Sequence, residues 1–308
     1  MSTKRTVNLA ALNIVTHPHS KAGYTALLEE ATELKQPIKI WGDVHGLLWS
    51  WYDYYDTGEL YTGEIFIYSE IDMDQEWLDL ARGEAASNKQ LKEVTIPAHL
   101  KPHFKRVRFA FFANIHLIVF AEENAPDGSL GVTRMQKFLS RLLNDNRLLE
   151  NRKFTEVQIR LVQSKEAIEE IFEKIAVKTL EILVEKPNGD DGGEAEQSVE
   201  DELEEENVSS YFIKMKAAPN EEIDPNQRTM RYMEEAALNG HVKARGVDRK
   251  TGRKKTVKTK DHPLIEGYEW DTGTGFLEFF LDGARKLAKK AKKKLRDRSR
   301  STEEDQEE

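Results

Sequence analysis

The chain contains no cysteine. Disulfides, thiolate catalysis, Cys-ligated zinc and iron–sulfur clusters therefore lie outside its chemistry. Long apolar runs are also missing. The longest, Phe109 to Ala121, is interrupted by Asn114 and His116 and falls short of the roughly 20 residues that span a bilayer. The start alternates polar and apolar residues (Thr6-Val7-Asn8-Leu9) and has no continuous apolar core, so we expect no signal peptide, no transmembrane segment and a cytoplasmic location. No G-x-S-x-G, Walker A or G-x-G-x-x-G loop occurs, and Gly273-Thr274-Gly275 is too short to cradle phosphates.

What is present is a chain of 308 residues, 39% hydrophobic and 33% charged. That is too apolar for a wholly disordered polypeptide and long enough for one large domain or two modest ones. The formal net charge of −9 hides a segregation: Gly240 to Arg300 holds 19 Lys/Arg against 8 Asp/Glu. Asp190 to Glu206, by contrast, holds ten carboxylates and no base, and Glu303 to Glu308 forms a short acidic tail. Self-repulsion and low hydrophobicity predict disorder in both acidic segments.

Periodicity predicts a mixture of strands and helices without a βαβ rhythm. Strands are expected at Val7–Val15, Ile38–Trp41, Tyr61–Tyr68, Val157–Val162, Leu180–Val184 and Ser210–Lys216, with two more inside Val107–Ala121 turning near Ala113-Asn114. Helices are expected at Tyr24–Leu34, at Thr133–Leu149 and over Lys165–Ile175, the last capped by Ser164. Another starts at Asp224-Pro225, read as a carboxylate cap with proline at the first position, and ends at Asn239-Gly240. A hairpin of His241–Val247 and Arg253–Thr259 turns through Asp248–Gly252, and a long helix covers about Gly275 to Arg296. Leu180–Val184 and Ser210–Lys216 can pair across the acidic segment, making it an insertion. The expected fold class is α+β, with a mixed, mostly antiparallel sheet and packed helices. The expected organisation is a body over 1–272 with an acidic disordered insertion at 187–207, a basic amphipathic helix over 273–298, and an acidic disordered tail over 299–308.

Two groups of residues could carry chemistry. In the first, Gly42-Asp43-Val44-His45-Gly46 follows a short strand and resembles the opening signature of calcineurin-type metallophosphoesterases, in which an Asp-x-His pair ligates one of two metals. The further Gly-Asp-x-x-Asp and Gly-Asn-His blocks of that family are missing, so Gly42-Asp43 reads better as a turn. His17-Pro18-His19 lacks companion ligands and reads as a loop. The aromatic run Trp49 to Tyr55 reads as core or interface surface.

The second group is basic. The last helix carries an apolar stripe of Phe276, Phe280, Ala284, Leu287, Ala291 and Leu295 with lysines around it. The hairpin is a two-stranded basic ribbon of a width that a major groove accepts. The expected nucleic-acid-binding residues are Arg249, Lys250, Arg253, Lys254, Lys255, Lys258 and Lys260 from the hairpin, and Lys286, Lys289, Lys290, Lys293 and Arg296 from the helix. No catalytic residue, metal ligand or cofactor is assigned. The hairpin's second strand has no interleaved aromatic residue, so contacts to the phosphate backbone are expected there rather than stacking.

Ala11-Leu12-Asn13-Ile14 with His17-Pro18-His19, Lys39-Ile40-Trp41-Gly42-Asp43, Tyr61-Thr62-Gly63-Glu64-Ile65 and Asp261-His262-Pro263-Leu264 occur in an order that resembles a bacterial family, domain of unknown function 4747, over about residues 5 to 282. The resemblance implies a bacterial or mobile-element protein of mixed α/β structure and carries over no catalytic residue. The leading expectation is a cytoplasmic bacterial nucleic-acid-binding protein, with a role in anti-phage defence expected from the genomes such families inhabit. The alternatives are a metal-dependent phosphoesterase or nuclease using Asp43 and His45, and an interaction subunit or homo-oligomer joined through the terminal helix stripe.

Overall fold

The computed structural model describes residues 3–17, 21–163, 166–186, 199, 201–203 and 205–301. The chain opens with β1 (Lys4–His17) and α1 (Lys21–Glu33), then β2 (Ile38–Trp41), β3 (Val44–Asp53) and β4 (Leu60–Ser69). A largely exposed insertion holds β5 (Leu78–Asp79), β6 (Glu84–Ala85) and α2 (Asn88–Glu93). The chain returns through β7 (Lys105–Phe112), β8 (Leu117–Glu123), α3 (Val132–Leu143), α4 (Asn146–Arg152) and β9 (Glu156–Leu161). The first sheet runs β14-β1-β8-β7-β4-β3-β2, where β14 is Ile265–Asp271, and β9 pairs with the second half of β1.

This sheet is covered on both faces, so β1 reads as a nearly continuous apolar run. Ala10, Leu12 and Ile14 enter one core with Tyr24, Leu27, Phe138 and Leu142 of α1 and α3. Val7, Leu9 and Ala11 enter the other, against Phe280, Leu281, Ala284, Leu287, Ala288 and Ala291 of the C-terminal helix (Phe276–Ser301). That helix is therefore a layer of the body: its apolar stripe from Phe276 to Ala291 packs on the chain's own sheet.

A second sheet follows, built on α5 (Glu166–Lys174), β10 (Ile175–Glu185), β11 (Ser210–Lys216), α6 (Gln227–Leu238), β12 (Gly240–Asp248) and β13 (Lys254–Lys258). Its strand order is β11-β10-β12-β13, and every pair in both sheets is antiparallel. The expected pairing of β10 with β11 across the acidic segment is present, from Thr179–Lys216 to Glu185–Ser210. Helices α5 and α6 cover one face, burying Ile168, Ile171, Met233, Ala236 and Ala237 on Leu180, Ile182, Val242 and Ala244.

Several local expectations are corrected. Thr133–Leu149 is two helices. Asn144 ends the first and donates to Val157 O at 2.7 Å, while the Asp145 carboxylate accepts from Arg147 N at 3.0 Å and caps the second. The start near Asp224 moves to Asn226, whose side chain accepts from Thr229 N at 2.9 Å. Buried Ile223 donates its N–H to Val177 O, which keeps the chain extended up to that point. Strand β3 runs through the aromatic cluster, and β14 joins β1; neither was evident from periodicity. Ser164 lies outside the described residues, as do 187–198, 200, 204 and the tail from 302. Within the acidic insertion, residues 201–203 are helical, and Val199 and Leu203, four apart, are both fully buried in the second sheet's core. Val199 and Leu203 thus anchor this part of the expected insertion to the body.

Candidate nucleic-acid interface

Alternation along the second sheet sends Tyr211, Ile213 and Met215 toward the helices and leaves Phe212, Lys214 and Lys216 on the opposite face. The register continues that face across the sheet. Lys214 lies opposite Glu181, Glu181 opposite Lys243, and Lys243 opposite Lys258. In the next row Lys216 faces Thr179, Thr179 faces Arg245, and Arg245 faces Thr256. Lys254 continues the same side of β13. Six cations (Lys214, Lys216, Lys243, Arg245, Lys254 and Lys258) thus share this face, with Glu181 among them. Glu181 accepts from Lys243 at 2.8 Å and Lys214 at 2.9 Å, with Arg245 at 4.0 Å. Hydrogen bonds from Lys243 and then Lys214 push its carboxyl down to about 2.

The register of β10 shifts between Val177 and Thr179, at Lys178. Gly246 passes close to that irregularity, since a Cβ there would meet Ala176 O at 2.0 Å. A depression of about 300 Å³ results, lined by Lys178, Thr179, Arg245, Val247, Lys254 and Thr256 among others. Beyond the two basic rows, Phe212 lies opposite Leu183 and Leu183 opposite His241. Phe212 is 62% exposed. Burial, then the nearby Lys260 charge, lowers the pKa of His241.

The residues expected from sequence divide into groups. Lys254 and Lys258 belong to the open face. Lys250 and Arg253 are exposed at the turn, with no ion-pair partner among the described residues. Arg249 instead straps the hairpin to the body, donating to Glu222 at 2.6 Å and Phe172 O at 3.2 Å. Lys255 shares the side of buried Val257 and reaches Asp248 at 3.4 Å. Lys260 follows β13 in a short 3-10 turn and borders a cleft of about 400 Å³ between the sheets, with His241 and Glu185. On the C-terminal helix, Lys286 pairs with Asp282 at 2.6 Å, Lys290 pairs with Glu266, and Lys289 is exposed. The side chains of Lys293 and Arg296 lie outside the described ones. Sequence reasoning missed Lys214, Lys216, Lys243 and Arg245. The available signal was period-2 alternation with Ile213, Met215, Val242 and Ala244.

The second sheet is fixed to the first through β9. Arg160, 9% exposed, donates to Asn239 Oδ1 at 3.1 Å and Lys186 O at 3.2 Å, and its guanidinium lies 3.2 Å from Glu185. Gln163 donates to Gly240 O at 2.9 Å. These contacts set the inner border of the basic face.

The other candidates are placed elsewhere. Gly42, at φ +45°, and Asp43 form the turn between β2 and β3. His45 Nδ1 lies 3.1 Å from Asp43 O, and its ring stacks on Tyr68 at 6.0 Å. Among the described residues no three His, Asp or Glu side chains gather in a metal-binding arrangement. Pro18 and His19 lie outside the described residues. Of the aromatic run, Trp51 packs on the core and stacks on Tyr61 at 4.5 Å. Trp49 stacks on Phe66 beneath Lys35, and Tyr55 meets Arg285. Arg106 and Arg108 nearby share Glu64, so that surface has little free positive charge.

A family model described as "Domain of unknown function (DUF4747)" matches residues 5–281. The short motifs of the sequence thus resemble this family over the stretch that the model matches. No curated protein matches the chain.

Proposed function

The chain belongs to the DUF4747 family, whose description assigns no activity, and we propose that it binds nucleic acid through the open face of its second sheet and the adjoining hairpin turn. One observation carries this reading: a protein of net charge −9 gathers six cations on one end of a single sheet face, where Glu181 is the carboxylate among them and Glu185, further along, is held by Arg160. Lysines often protect exposed sheet edges. That explanation covers β11 and β13, but Lys243 and Arg245 stand on β12, an interior strand. A row of like charges across interior and edge strands repels itself, and a polyanion relieves the repulsion. Among the described residues no helix is long and apolar enough to cross a membrane. A cytoplasmic, bacterial setting and a role against phage belong to this proposal. Phage plaque counts on a strain expressing the chain, against a face-neutralised variant, test that role.

The binding test is a salt titration of fluorescence anisotropy with labelled duplex DNA, single-stranded DNA and RNA. Six phosphate contacts give a slope of about −4 in log K against log salt for single strands, or about −5 for duplex. Affinity for a single strand then falls about 300-fold between 50 and 200 mM salt. Lys216, Lys254 and Lys258 are exposed and have no ion-pair partner among the described residues. The K216Q/K254Q/K258Q variant should keep its fold and show about half the slope. Binding that is insensitive to salt, or a slope unchanged in this variant, would remove the proposal.

A further inference from the structure

We infer that the ligand of this face is single-stranded nucleic acid, with a base stacked on Phe212 along the Phe212–Leu183–His241 row and phosphates on the two lysine and arginine rows beside it. The inference rests on the proposed nucleic-acid binding and specifies the class of ligand.

Three observations point to a single strand. The first is shape. Four strands about 4.8 Å apart make a face roughly 14 Å across, wider than the roughly 12 Å major groove. A flat sheet of that width touches a duplex only along its backbone. The second is the position of Phe212. It lies two and four residues from Lys214 and Lys216 on one strand, so its exposed ring and their ammonium groups share one surface in rows about 7 Å apart. Half-buried Leu183 and His241 extend the row toward the cleft between the sheets. The third is charge: the two cationic rows flank that row on one side, while on the other Lys260 borders the cleft and Glu185, the carboxylate there, is held by Arg160 at 3.2 Å. A duplex would be better served by the hairpin entering a groove. There, however, Arg249 and Lys255 are already held by Glu222 and Asp248, leaving Lys250 and Arg253 at the tip.

The test uses the full chain, wild type and the variants Phe212→Ala and Phe212→Trp, each checked by circular dichroism and size-exclusion chromatography. The probes are a labelled 12-nucleotide DNA, the RNA of the same sequence, the same DNA backbone with abasic sites throughout, and the duplex. The intact single strands should bind about 5- to 150-fold more tightly than the abasic strand, the range of one stacked base. Phe212→Ala should bring them to the abasic level, and Phe212→Trp should restore the gap. The DNA and RNA probes show whether the sugar matters. Equal binding of intact and abasic strands, tighter binding of duplex, or equal weakening of all probes by Phe212→Ala would overturn the inference while leaving salt-dependent binding in place. A change of oligomeric size in Phe212→Ala with unaltered binding would do the same and make Phe212 a protein contact. Binding of no probe at low salt would defeat both this inference and the proposed function.

Discussion

Replacing Glu181 by Gln should strengthen nucleic-acid binding and remove one part of the protein's acid sensitivity. Glu181 is the only carboxylate within the basic rows, held between Lys214 and Lys243 at 2.9 and 2.8 Å. It competes with any phosphate placed on those lysines. A phosphate in the adjoining row would lie about 7 Å away, and removing the repulsion is worth about 3-fold in affinity at the dielectric of water and about 50-fold at an effective dielectric near 20. The salt slope should steepen by up to about 0.7 for a single strand as one more phosphate becomes neutralised. The pH effect has a definite sign. Its folded pKa is depressed to about 2 from the ordinary 4.5, so its contribution is present above the unfolded value and lost as pH falls through the folded one. Urea denaturation at a series of pH values should show wild type and E181Q converging between about pH 5 and pH 2. Anisotropy at neutral pH reads the binding. If a folded E181Q bound no better than wild type, the competition between Glu181 and phosphate, and with it the assignment of this face, would be refuted.

Other consequences follow from the packing. Phe280 is fully buried in the core behind the first sheet, so Phe280→Ala should cost about 3–5 kcal/mol in chemical denaturation. A chain ending near Asp271 should melt far below the full chain, and loss of binding on that truncation would say nothing about the helix lysines. Leu203→Ala should cost about 2–5 kcal/mol, because the side chain is fully buried against the second sheet; an unchanged denaturation midpoint would show that this end of the acidic insertion does not dock. Arg160→Ala removes the donor to Asn239 Oδ1 and to the Lys186 carbonyl, and the partner of Glu185, at the junction of the sheets. A loss of about 1–3 kcal/mol is expected, with faster hydrogen exchange in β9 and β12; unchanged exchange there would show that Arg160 does not join the sheets.

Most strands were legible because alternation survives wherever one face meets helices and the other meets solvent. Ser210–Lys216 is an example, with Tyr211, Ile213 and Met215 on one side and lysines on the other. Strands β3 and β14 were harder. Strand β14 alternates, but with Ile265, Gly267 and Glu269 on its open side and Glu266 beside Tyr268 and Trp270 on the covered one, and β3 is aromatic on both faces. The break at Asn144-Asp145 escaped because helical spacing continues through it, and only the caps reveal it. Asp224 and Asn226 both offer caps, and the choice was made by a long-range bond from Ile223 to Val177. The basic face could not be assembled from the hairpin alone. Its members come from β11, β12 and β13, and Lys214 meets Lys243 only through Glu181 of the strand between them. Conversely, the chain segment richest in lysine is a helix whose apolar stripe serves the core, with Lys286 and Lys290 already paired to carboxylates.

Lysine acylation followed by mass spectrometry, with and without a saturating single-stranded oligonucleotide, tests the central assignment residue by residue. Protection should fall on Lys214, Lys216, Lys243, Lys254 and Lys258, while Lys286 and Lys289 react as in the free protein. Protection confined to Lys286, Lys289 and the rest of the C-terminal helix, with the sheet lysines unchanged, would contradict the account.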